Sequence, residues 1–431
     1  MLDIKFIREH IEIVRQAAVQ KKLSLNLDEL LTADDDRRQL QKRLDDLRAV
    51  QHQANAEVAK ASDQEKQTKI ELLRKLADEV KQLERLFATI HERYEALMVQ
   101  VPNVPDAKVP VGSSEADNVE IKTVGTIPHF SFLPKDHLTL GTELGIIDVE
   151  RGVKVTGKRG YYLKGLGAQL EIALMSYGLD WLRERGFIQF MTPLMALDEF
   201  FYGTGYFPWS QAETFKAMAS DKTQNLIGSS EITLCAYHAH ETLELSDLPK
   251  RYTAWTPCFR TEVGSYGKDT KGLYRLRQFN KVEQVIICKN DDAVAMELFE
   301  EIMKNSEDFL TSLEIPFRVV ELCTGEMGAP QKYKRDIESW MPSRQCYSET
   351  HSCSWLGDFQ ARRLRIMYRD TNGKKHYCQT LNNTLVASPR LLIPLLEIHQ
   401  QADGSVTLPQ VLHKYMNGVA SIRAASVVSS Q

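Results

Sequence analysis

The sequence lacks the signs of a disulfide-stabilised, zinc-bound or membrane-spanning protein. Its seven cysteines are odd in number and none forms a C-x-x-C pair, so we expect neither a disulfide framework nor a thiolate zinc site. No apolar run reaches the roughly 18 residues that a membrane-spanning helix needs. The chain begins MLDIKFIREH, which is charged and amphipathic and fits no signal peptide. These absences predict a cytoplasmic protein with no membrane partner.

A strong excess of charge of one sign is also absent. Lys and Arg total 54 and Asp and Glu total 58, which gives a formal net charge of −4. This balance excludes a protein that is basic all over, such as a histone, but not a local surface that binds nucleic acid. With 43% hydrophobic and 26% charged residues among 431, the chain suits a globular protein of two or three domains.

Glycine and proline are absent from residues 27–97, and such a long segment without either is typical of helix. Apolar residues recur there at steps of mostly three and four with charges between them, which is the pattern of a coiled coil. The pattern weakens over 59–68, so we predict two antiparallel helices joined by a tip near Ser62 to Glu65. A shorter helix is predicted before them, over 3–22.

The role of this two-helix arm (27–97) stays open from its own residues. A coiled coil is most often structural or dimerising, and RNA binding is the alternative. Residues 1–100 carry 18 Lys and Arg against 19 Asp and Glu, a net charge of −1 that does not decide between them. The arm is followed by VPNVPDAKVPVG, residues 101–112, whose three prolines cannot continue a helix. This linker divides the chain, and the stretch after it to Pro134 is predicted to be irregular.

The last two-thirds of the chain shows mixed strand and helix patterns. A long amphipathic helix within 161–186 is followed by a strand at 187–193, FIQFMTP. Further strands are predicted at 252–259, 278–288, 317–323, 348–354, 364–368 and 375–381, and helices at 231–245, 291–313 and 389–402. Because most of these strands follow one another through turns, we predict an α+β fold with an antiparallel sheet flanked by helices. No G-x-G-x-x-G follows a strand and no G-x-x-x-x-G-K-[ST] occurs, which disfavours Rossmann and P-loop sites.

Charged and aromatic residues cluster on two of the predicted strands. Arg260 and Glu262 lie two apart on one, and Phe279, Lys281 and Glu283 alternate on the next, so each set shares a face. The loop between the strands carries four further cations: Lys268, Lys271, Arg275 and Arg277. Arg can bind a phosphate or carboxylate in a bidentate manner, and Glu can hold an ammonium group. Such a face suits a nucleotide and an amine, with a salt-bridged surface hairpin as the alternative.

Two later segments add acidic, hydroxyl and cationic side chains. Glu349 and Ser352 offer hard oxygens of the kind that Mg²⁺ shares with phosphates. His351 has no second histidine at ligand spacing, which makes a zinc site there a weak interpretation. Arg390 stands at the predicted start of a helix, where the helix dipole disfavours a cation. We therefore expect Arg390 to have an anionic partner, either a ligand or a local carboxylate.

Together these segments resemble a seryl-tRNA synthetase of the bacterial and eukaryotic type over nearly the whole chain. FIQFMTP resembles the first class II motif, FRTE with RLRQFNKVE the second, and TLNNTLVASPR with LLEIHQ the third. LIGSSEI is similar to the amino-acid loop, and ETHSCS to the strand that binds ATP and metal. The resemblance implies a tRNA-binding domain at 1–105, which includes the arm, and a class II catalytic domain at 106–431.

The resemblance also implies residue roles. The implied catalytic residues are Arg260 and Arg390. The implied ATP-binding residues are Arg260, Thr261, Glu262, Arg275, Leu276, Phe279, Glu349, Thr350, His351, Ser352 and Arg390. The implied serine-binding residues are Ser229, Ser230, Glu231, Arg260, Glu283, Asn382 and Thr384. Glu349 and Ser352 are the implied Mg²⁺ ligands, and no zinc is expected because the inserted Cys and carboxylate set of the archaeal form is missing.

The activity that the resemblance implies is ATP-dependent ligation of L-serine to serine tRNA through a seryl-adenylate, with selenocysteine tRNA as a further substrate where one exists. The implied partners are ATP, L-serine, Mg²⁺, the long variable arm of serine tRNA bound by the coiled-coil arm, and a second copy of the chain. Two alternatives stay open: a class II paralogue that activates an amino acid for a non-tRNA acceptor, and a catalytically inactive coiled-coil RNA-binding protein. Two residues depart from the family pattern, namely Ser229 in place of the usual Thr and Asn280 in place of a frequent Glu.

Overall fold

The computed structural model describes residues 1–58, 62–218, 223–263 and 272–424. The chain divides into two compact units, Met1–Pro102 and Asn103–Gln431. None of the described helices combines the length and the apolar character needed to span a bilayer.

The described residues of the first unit form four helices. These are α1 (Ile4–Glu9), α2 (Ile11–Gln20), α3 (Leu27–Val58) and α4 (Asp63–Met98). The prediction of one helix over 3–22 is wrong, because His10 leaves the helical conformation (φ −130°, ψ 40°) and separates α1 from α2. Buried Ile7 and Val14 keep the two short helices packed through one apolar side.

Helices α3 and α4 confirm the predicted antiparallel pair. Arg93, near the end of α4, lies 2.9 Å from Glu29 near the start of α3, and Lys69, near the start of α4, lies 3.7 Å from Glu57 near the end of α3. One buried apolar cluster between the helices consists of Leu44, Val80 and Leu83. Helix α4 already begins inside the predicted tip, and residues 59–61 lie outside the described part of the chain.

The second unit contains many short elements around one large sheet. Its strands are β1 (Val119–Val124), β2 (Ile147–Asp148), β3 (Tyr162–Leu163), β4 (Ile188–Phe190), β5 (Met195–Leu197), β6 (Lys216–Ala217), β7 (Gln224–Leu226), β8 (Thr242–Glu244), β9 (Lys250–Phe259), β10 (Gln278–Cys288), β11 (Phe317–Glu321), β12 (Tyr333–Met341), β13 (Cys346–Gly357), β14 (Met367–Arg369), β15 (Lys375–Tyr377), β16 (Gln379–Ser388), β17 (Val406–Thr407) and β18 (Ser421–Ile422). Its helices are α5 (His137–Glu143), α6 (Val149–Thr156), α7 (Leu166–Arg183), α8 (Asp198–Thr204), α9 (Glu231–Ala236), α10 (Asp292–Ser312), α11 (Phe359–Leu364), α12 (Leu392–Ile398) and α13 (Gln410–His413).

The large sheet has eight strands in the order β1-β11-β12-β13-β16-β10-β9-β4 among the described residues. Its neighbours are antiparallel except at one edge, where β4 runs parallel to β9. The predicted antiparallel sheet flanked by helices is therefore confirmed.

Alternation along β10 divides the core between the two faces of this sheet. Val282 and Ile286 join the larger cluster, to which α7 and α10 contribute, whereas Val285 and Ile287 join a smaller cluster with residues of α9 and α11. Lys281 lies near the other end of β10, at the site described below.

Several predicted boundaries are wrong where two elements meet. The helix predicted over 231–245 ends at Ala236, and the chain continues as β8. The strand predicted over 364–368 begins only at Met367, because Leu364 ends α11. The strand predicted over 375–381 is the short β15 followed by the start of β16. Helix α12 begins at Leu392, so Arg390 precedes the helix that was predicted to start with it.

Two strands of the large sheet were not predicted. Strand β12 pairs with both β11 and β13 in the middle of the sheet, and β1 forms an edge inside the stretch that was predicted to be irregular. The sequence of β12, YKRDIESWM, has three charged residues in succession, Lys334 to Asp336, so it lacks the alternation of polar and apolar residues that predicts a strand.

The sheet opens between β13 and β16. These two strands pair from Cys353 with Asn383 to Gly357 with Thr380. Beyond Cys353, residues 346–352 of β13 pair with β12, and residues 384–388 of β16 pair with β10. We call the gap between these two stretches the fork. Its two sides present backbone and side chains to a common space, since no ladder joins them in the described structure.

Candidate active site

A cavity of about 430 Å³ lies at the fork and the adjoining ends of β9 and β10. Of the residues implied for ATP, serine or Mg²⁺, those that line it are Glu231, Arg260, Glu262, Arg275, Leu276, Phe279, Glu349, Thr350, Ser352, Asn382, Thr384 and Arg390. The implied residues that are not among the described lining are Ser229, Ser230, Thr261, Glu283 and His351. The fold therefore brings most of the predicted set to one place. The loop cations Lys268 and Lys271 lie outside the described residues.

Arg260 and Glu262 reach the cavity, but not from a strand as predicted. Strand β9 ends at Phe259, and Glu262 adopts a left-handed conformation with φ of 58°. The Arg260 amide donates to the Arg277 carbonyl at 2.9 Å, which holds the start of this turn against the residues that lead into β10. The left-handed turn lets the Glu262 carboxylate accept from Arg275 Nη1 at 3.1 Å. Thr261 instead donates its hydroxyl to the Ala212 carbonyl at 2.7 Å.

The Arg260 guanidinium is only weakly engaged by the protein. Its Nη2 donates to the Gly228 carbonyl at 3.4 Å, and its central carbon lies 5.4 Å from the centroid of the Phe279 ring. Because this is one long hydrogen bond among the described residues, most of the guanidinium donors are available for a ligand.

Arg390 spans the fork from its position after β16. Its Nη1 lies 3.2 Å from the Glu349 carboxylate and 3.2 Å from the Glu349 carbonyl oxygen. Its Nε donates to the Tyr274 carbonyl at 3.2 Å, and the guanidinium stacks 4.4 Å from the Tyr274 ring centroid. Burial alone would raise the pKa of Glu349, but Arg390, Lys334 and Arg260 outweigh it and hold that pKa below its ordinary value. The anionic partner that the sequence predicted for Arg390 includes this local carboxylate.

A second, more buried polar group surrounds Glu231. Its carboxylate accepts from Tyr206 Oη at 3.1 Å and from Gln360 Nε2 at 2.8 Å. Burial raises the pKa of Glu231, against the opposing effects of Gln360 and Lys281. A buried carboxylate that already has two neutral donors and faces a cavity is suited to receive a small ammonium group.

Glu283 lies beneath this group instead of lining the cavity. Its carboxylate pairs with Lys281 Nζ, which lines the cavity and also donates to Ser229 Oγ at 3.3 Å. Burial raises the pKa of Glu283 to about 7, although Lys281 opposes the shift. Ser229 also accepts from the Glu231 amide at 3.2 Å, so its hydroxyl shapes the Glu231 loop. Lys281 therefore stands between the implied serine residue Glu283 and the open space.

Asn280 and His351 have contacts that explain their place outside the cavity. Asn280 donates to Glu171 Oε1 at 3.1 Å and accepts from Trp255 Nε1 at 3.3 Å. His351 is buried within the fork, with Nε2 2.8 Å from the Leu385 carbonyl on the opposite side. Burial lowers the pKa of His351 to about 4, so the ring is neutral and Nε2 donates to that carbonyl. His351 was implied as an ATP-binding residue; it is not among the described lining of the cavity, and its role toward ATP stays a prediction.

Sequence reasoning missed several residues that line or adjoin the cavity: Tyr206, Trp209, Tyr274, Lys334, Asp336 and Gln360. Lys334 and Asp336 lie 3.2 Å apart on β12, and burial raises the pKa of Asp336 to about 6. The sequence signal for this pair was the spacing of two residues between Lys334 and Asp336, since alternate residues of a strand share a face.

Comparisons with known proteins identify the family of the chain. Residues 215–399 match the family model of the tRNA synthetase class II core domain (G, H, P, S and T). With the antiparallel sheet and its arginine-lined cavity, this match defines the catalytic core as that of a class II aminoacyl-tRNA synthetase. Residues 1–105 match the model of the seryl-tRNA synthetase N-terminal domain.

Relatives match over nearly the whole chain. A serine--tRNA ligase from Deinococcus radiodurans is 41% identical over 419 residues, 97% of this chain and 98% of its own. One from Dictyoglomus turgidum is 40% identical over 427 residues, 98% of this chain and 99% of its own. The chain belongs to the seryl-tRNA synthetase family.

Solved structures agree with this family assignment. The seryl-tRNA synthetase of Pyrococcus horikoshii complexed with ATP is 34% identical, with a TM-score of 0.88 over 99% of this chain and 100% of its own. The cytoplasmic serine--tRNA ligase of Naegleria fowleri in complex with AMP is 27% identical, with a TM-score of 0.84 over 98% of this chain and 99% of its own.

Proposed function

We propose that this chain attaches L-serine to serine tRNA in two steps, forming seryl-adenylate and pyrophosphate from serine and ATP and then transferring the seryl group to tRNA. The observation that carries the proposal is a single cavity lined by Arg260 and Arg390 and, in its buried part, by Glu231. The relatives named serine--tRNA ligase and the ATP complex of the Pyrococcus protein support the same reaction.

Arg260 is placed to join the two reactants of the first step. The serine carboxylate attacks the ATP α-phosphate, and pyrophosphate leaves. Arg260 lies between the Glu231 loop, whose Gly228 carbonyl it contacts, and the Phe279 ring. From there its free donors can bind the carboxylate and the α-phosphate together, which reduces their repulsion. The reaction needs no protein nucleophile, so positioning and charge neutralisation supply the catalysis.

We propose that the nucleotide occupies the part of the cavity formed by the turn after β9 and the residues before β10. Phe279 offers a ring face to the adenine, while Glu262 and the backbone near Leu276 hold its polar edge. Arg275 and Arg390 approach the remaining phosphates. Each of these arginines has a carboxylate partner, Glu262 and Glu349 respectively, that keeps it oriented before ATP binds.

The residues implied for Mg²⁺ fit a hard divalent cation. The carboxylate of Glu349 is held ionised by the neighbouring cations, as a metal ligand must be, and Ser352 lines the same cavity. In the described residues no group of three or more His, Cys, Asp or Glu is placed to hold a metal by itself, so the phosphates would complete the set. Bound there, Mg²⁺ would neutralise phosphate charge and fix the bend of the triphosphate.

We propose that serine is recognised through both of its polar ends. Glu231 takes the ammonium group, while Asn382 and Thr384 on β16 line the cavity where the side-chain hydroxyl lies. Glu283 acts through Lys281, since the ammonium of Lys281 stands between that carboxylate and the cavity. A site with polar groups for a hydroxyl rejects alanine by leaving them unpaired, and such sites discriminate by factors of about 10⁴ or more.

Transfer of the seryl group to tRNA needs both tRNA binding and catalysis, which we assign to different parts of the chain. We propose that residues 1–105 bind tRNA, with the arm (27–97) holding the long variable arm of serine tRNA, and that residues 106–431 catalyse both steps. The antiparallel pair α3–α4 carries exposed arginines, among them Arg43 and Arg48, which pair with Glu79 and Glu84 and would exchange these partners for phosphates. Whether selenocysteine tRNA is also a substrate stays a prediction.

We further propose that the chain works as a homodimer through the β4 edge of the large sheet. Strand β4 pairs only with β9 in the described structure, so one of its edges is unpaired. Ile188 is exposed there, and Met191, just beyond β4, is 99% exposed. An exposed sheet edge beside apolar side chains favours pairing with a second copy. Sedimentation velocity at micromolar concentration should give a mass near twice 49.2 kDa.

The proposed activity is tested by ATP–pyrophosphate exchange with each amino acid in turn, followed by charging of serine tRNA. We expect exchange with serine only and charging of serine tRNA with serine. Exchange without charging would favour a paralogue with another acceptor, although the family match over residues 1–105 disfavours it. The absence of any exchange, together with tRNA binding, would favour an inactive RNA-binding protein and refute the proposal.

A further inference from the structure

A buried carboxylate outside the cavity holds a histidine that reaches the cavity wall. Glu397, in α12, is fully buried and accepts four hydrogen bonds. Two come from the amide and Nδ1 of His137, the first residue of α5, at 3.0 and 2.7 Å. The other two come from the amide and hydroxyl of Ser343, at 2.9 and 2.8 Å. With its acceptor positions used in this way, Glu397 fixes the position of the His137 ring.

The neighbours of His137 also fix the position of its proton. Nδ1 faces the acceptor oxygen of Glu397, so Nδ1 carries the hydrogen. Nε2 lies 3.1 Å from the amide nitrogen of Leu273, a donor, so Nε2 is the acceptor. Both contacts therefore require the same tautomer. In other sites, too, a carboxylate that accepts from one imidazole nitrogen orients the other nitrogen toward its ligand.

The Leu273 amide belongs to a segment that forms one wall of the cavity. Residues 272–277, which we call the 272–277 segment, connect to β10, and Leu273, Tyr274, Arg275 and Leu276 all line the cavity. Arg390 binds the same segment through the Tyr274 carbonyl, and the Arg260 amide binds the Arg277 carbonyl. The contact from His137 to the Leu273 amide fixes the beginning of the 272–277 segment.

Gly272 allows the ring to come this close. A Cβ at this position would lie 2.7 Å from His137 Nε2, and the backbone φ is 85°, a conformation that side chains rarely adopt. The absence of a side chain at 272 is therefore a condition of the His137–Leu273 contact.

We propose that His137, oriented by Glu397, is a positioning residue for ATP: its Nε2 holds the Leu273 amide and so sets the nucleotide wall of the cavity. It touches neither substrate, because it acts through the 272–277 segment. The inference rests on the proposed function for its link to ATP, but the contact itself can be tested without activity.

Two substitutions at His137 separate this role from simple packing. His137→Asn keeps a donor near Glu397 but is too short to reach Leu273, whereas His137→Gln reaches that amide with its side-chain oxygen. Since a buried amide loses its acceptor in the first variant, we expect the KM for ATP in the exchange assay to rise about tenfold or more, with the KM for serine changed far less. His137→Gln should recover most of the loss.

His399→Asn is the matched control. His399 lies next to α12 and its Nε2 is 3.0 Å from the Leu313 carbonyl, so this variant also loses a histidine contact to backbone but leaves the 272–277 segment alone. We expect it to lower the melting temperature without raising the KM for ATP. Equal KM values in His137→Asn and His399→Asn, or no recovery in His137→Gln, would overturn the proposal.

Hydrogen–deuterium exchange of the Leu273 amide gives a readout independent of catalysis. We expect protection in the wild type and in His399→Asn, and faster exchange in His137→Asn. Unchanged protection in His137→Asn would overturn the proposal even if the wild type proved inactive, whereas lost protection in an inactive protein would support the contact and refute only the proposed function. If His137→Asn does not fold, Gly272→Ala replaces it, because the added Cβ displaces the segment from the ring while His137 and Glu397 stay paired.

Discussion

Replacing Arg260 by alanine should strongly reduce serine-dependent ATP–pyrophosphate exchange while leaving the fold intact. Within the described part of the free protein, the guanidinium makes one long hydrogen bond, 3.4 Å to the Gly228 carbonyl, and a contact with the Phe279 ring at 5.4 Å. Losing these weak contacts should lower the free energy of unfolding by about 1 kcal/mol or less. With ATP and serine bound, the same group would face two anions in a cavity, and removing one partner of such a pair costs about 2–5 kcal/mol.

The expected loss of exchange is therefore about 30- to 5,000-fold in kcat/KM, at 1.36 kcal/mol for each factor of ten. The assay is pyrophosphate exchange at saturating ATP with a serine titration, accompanied by a thermal melt. Arg260→Lys is the matched control, because it keeps the charge but loses the planar fork of donors, and it should fall between the wild type and Arg260→Ala. Exchange within a few-fold of the wild type in the alanine variant would remove Arg260 from the mechanism. A collapse of the melting temperature would show that the side chain is structural instead.

Three other predictions concern the arm, salt and pH. Replacing residues 35–92 by a short turn should leave exchange near the wild-type rate but reduce tRNA charging by more than tenfold, since the cavity is formed within 103–431; equal loss of both activities would contradict this division. The affinity for serine tRNA should fall steeply between 50 and 200 mM salt, roughly tenfold or more, because phosphate contacts release counterions, and a flat response in a filter-binding titration would refute them. The pKa of Glu283 is about 7 in the folded state, above the ordinary value of 4.5, so the folded state binds this proton more tightly than the unfolded state. The resulting contribution to the free energy of unfolding is complete below about pH 4.5 and is lost as the pH rises through 7. The wild type should lose up to about 3 kcal/mol of unfolding free energy over that range relative to Glu283→Gln, and parallel pH profiles from urea titrations would show that Glu283 is not shifted.

The long-range features of the sequence predicted the architecture better than its local features did. The arm carries its three-four apolar spacing for tens of residues, so the pattern outweighs any single residue and α3–α4 was predicted correctly. The helix over 3–22 failed because one residue, His10, turns the chain where the apolar spacing continues. Strand β12 was missed because its consecutive charged residues, Lys334 to Asp336, obscure the strand pattern, although Lys334 and Asp336 pair with each other in the folded sheet.

In the candidate site, too, the sequence predicted which residues come together but not their contacts with neighbouring side chains. Residues in motifs, such as Arg260, Glu349 and Arg390, were predicted to meet and do line one cavity. Glu283 was implied as a serine ligand, but spacing on a strand gives only the face on which a side chain lies, not whether Lys281 stands in front of it. The contact between His137 and Leu273 joins residues 136 positions apart, and no local pattern could have indicated it.

The separation of β13 from β16 leaves the two sides of the fork, both of which line the cavity, without a shared backbone ladder in the described structure. Glu349 and Ser352 lie on the β13 side of the fork, and Thr384 lies on the β16 side. Asn382 lies just before the fork, where β16 still pairs with β13. At the fork, the side chains of His351 and Arg390 connect the two sides, in place of a continuous backbone ladder. A displacement of one side of the fork therefore reaches the other side through side-chain contacts and not through ladder hydrogen bonds. Side chains, and not the backbone ladder, therefore set the separation of the two sides of the fork at the cavity.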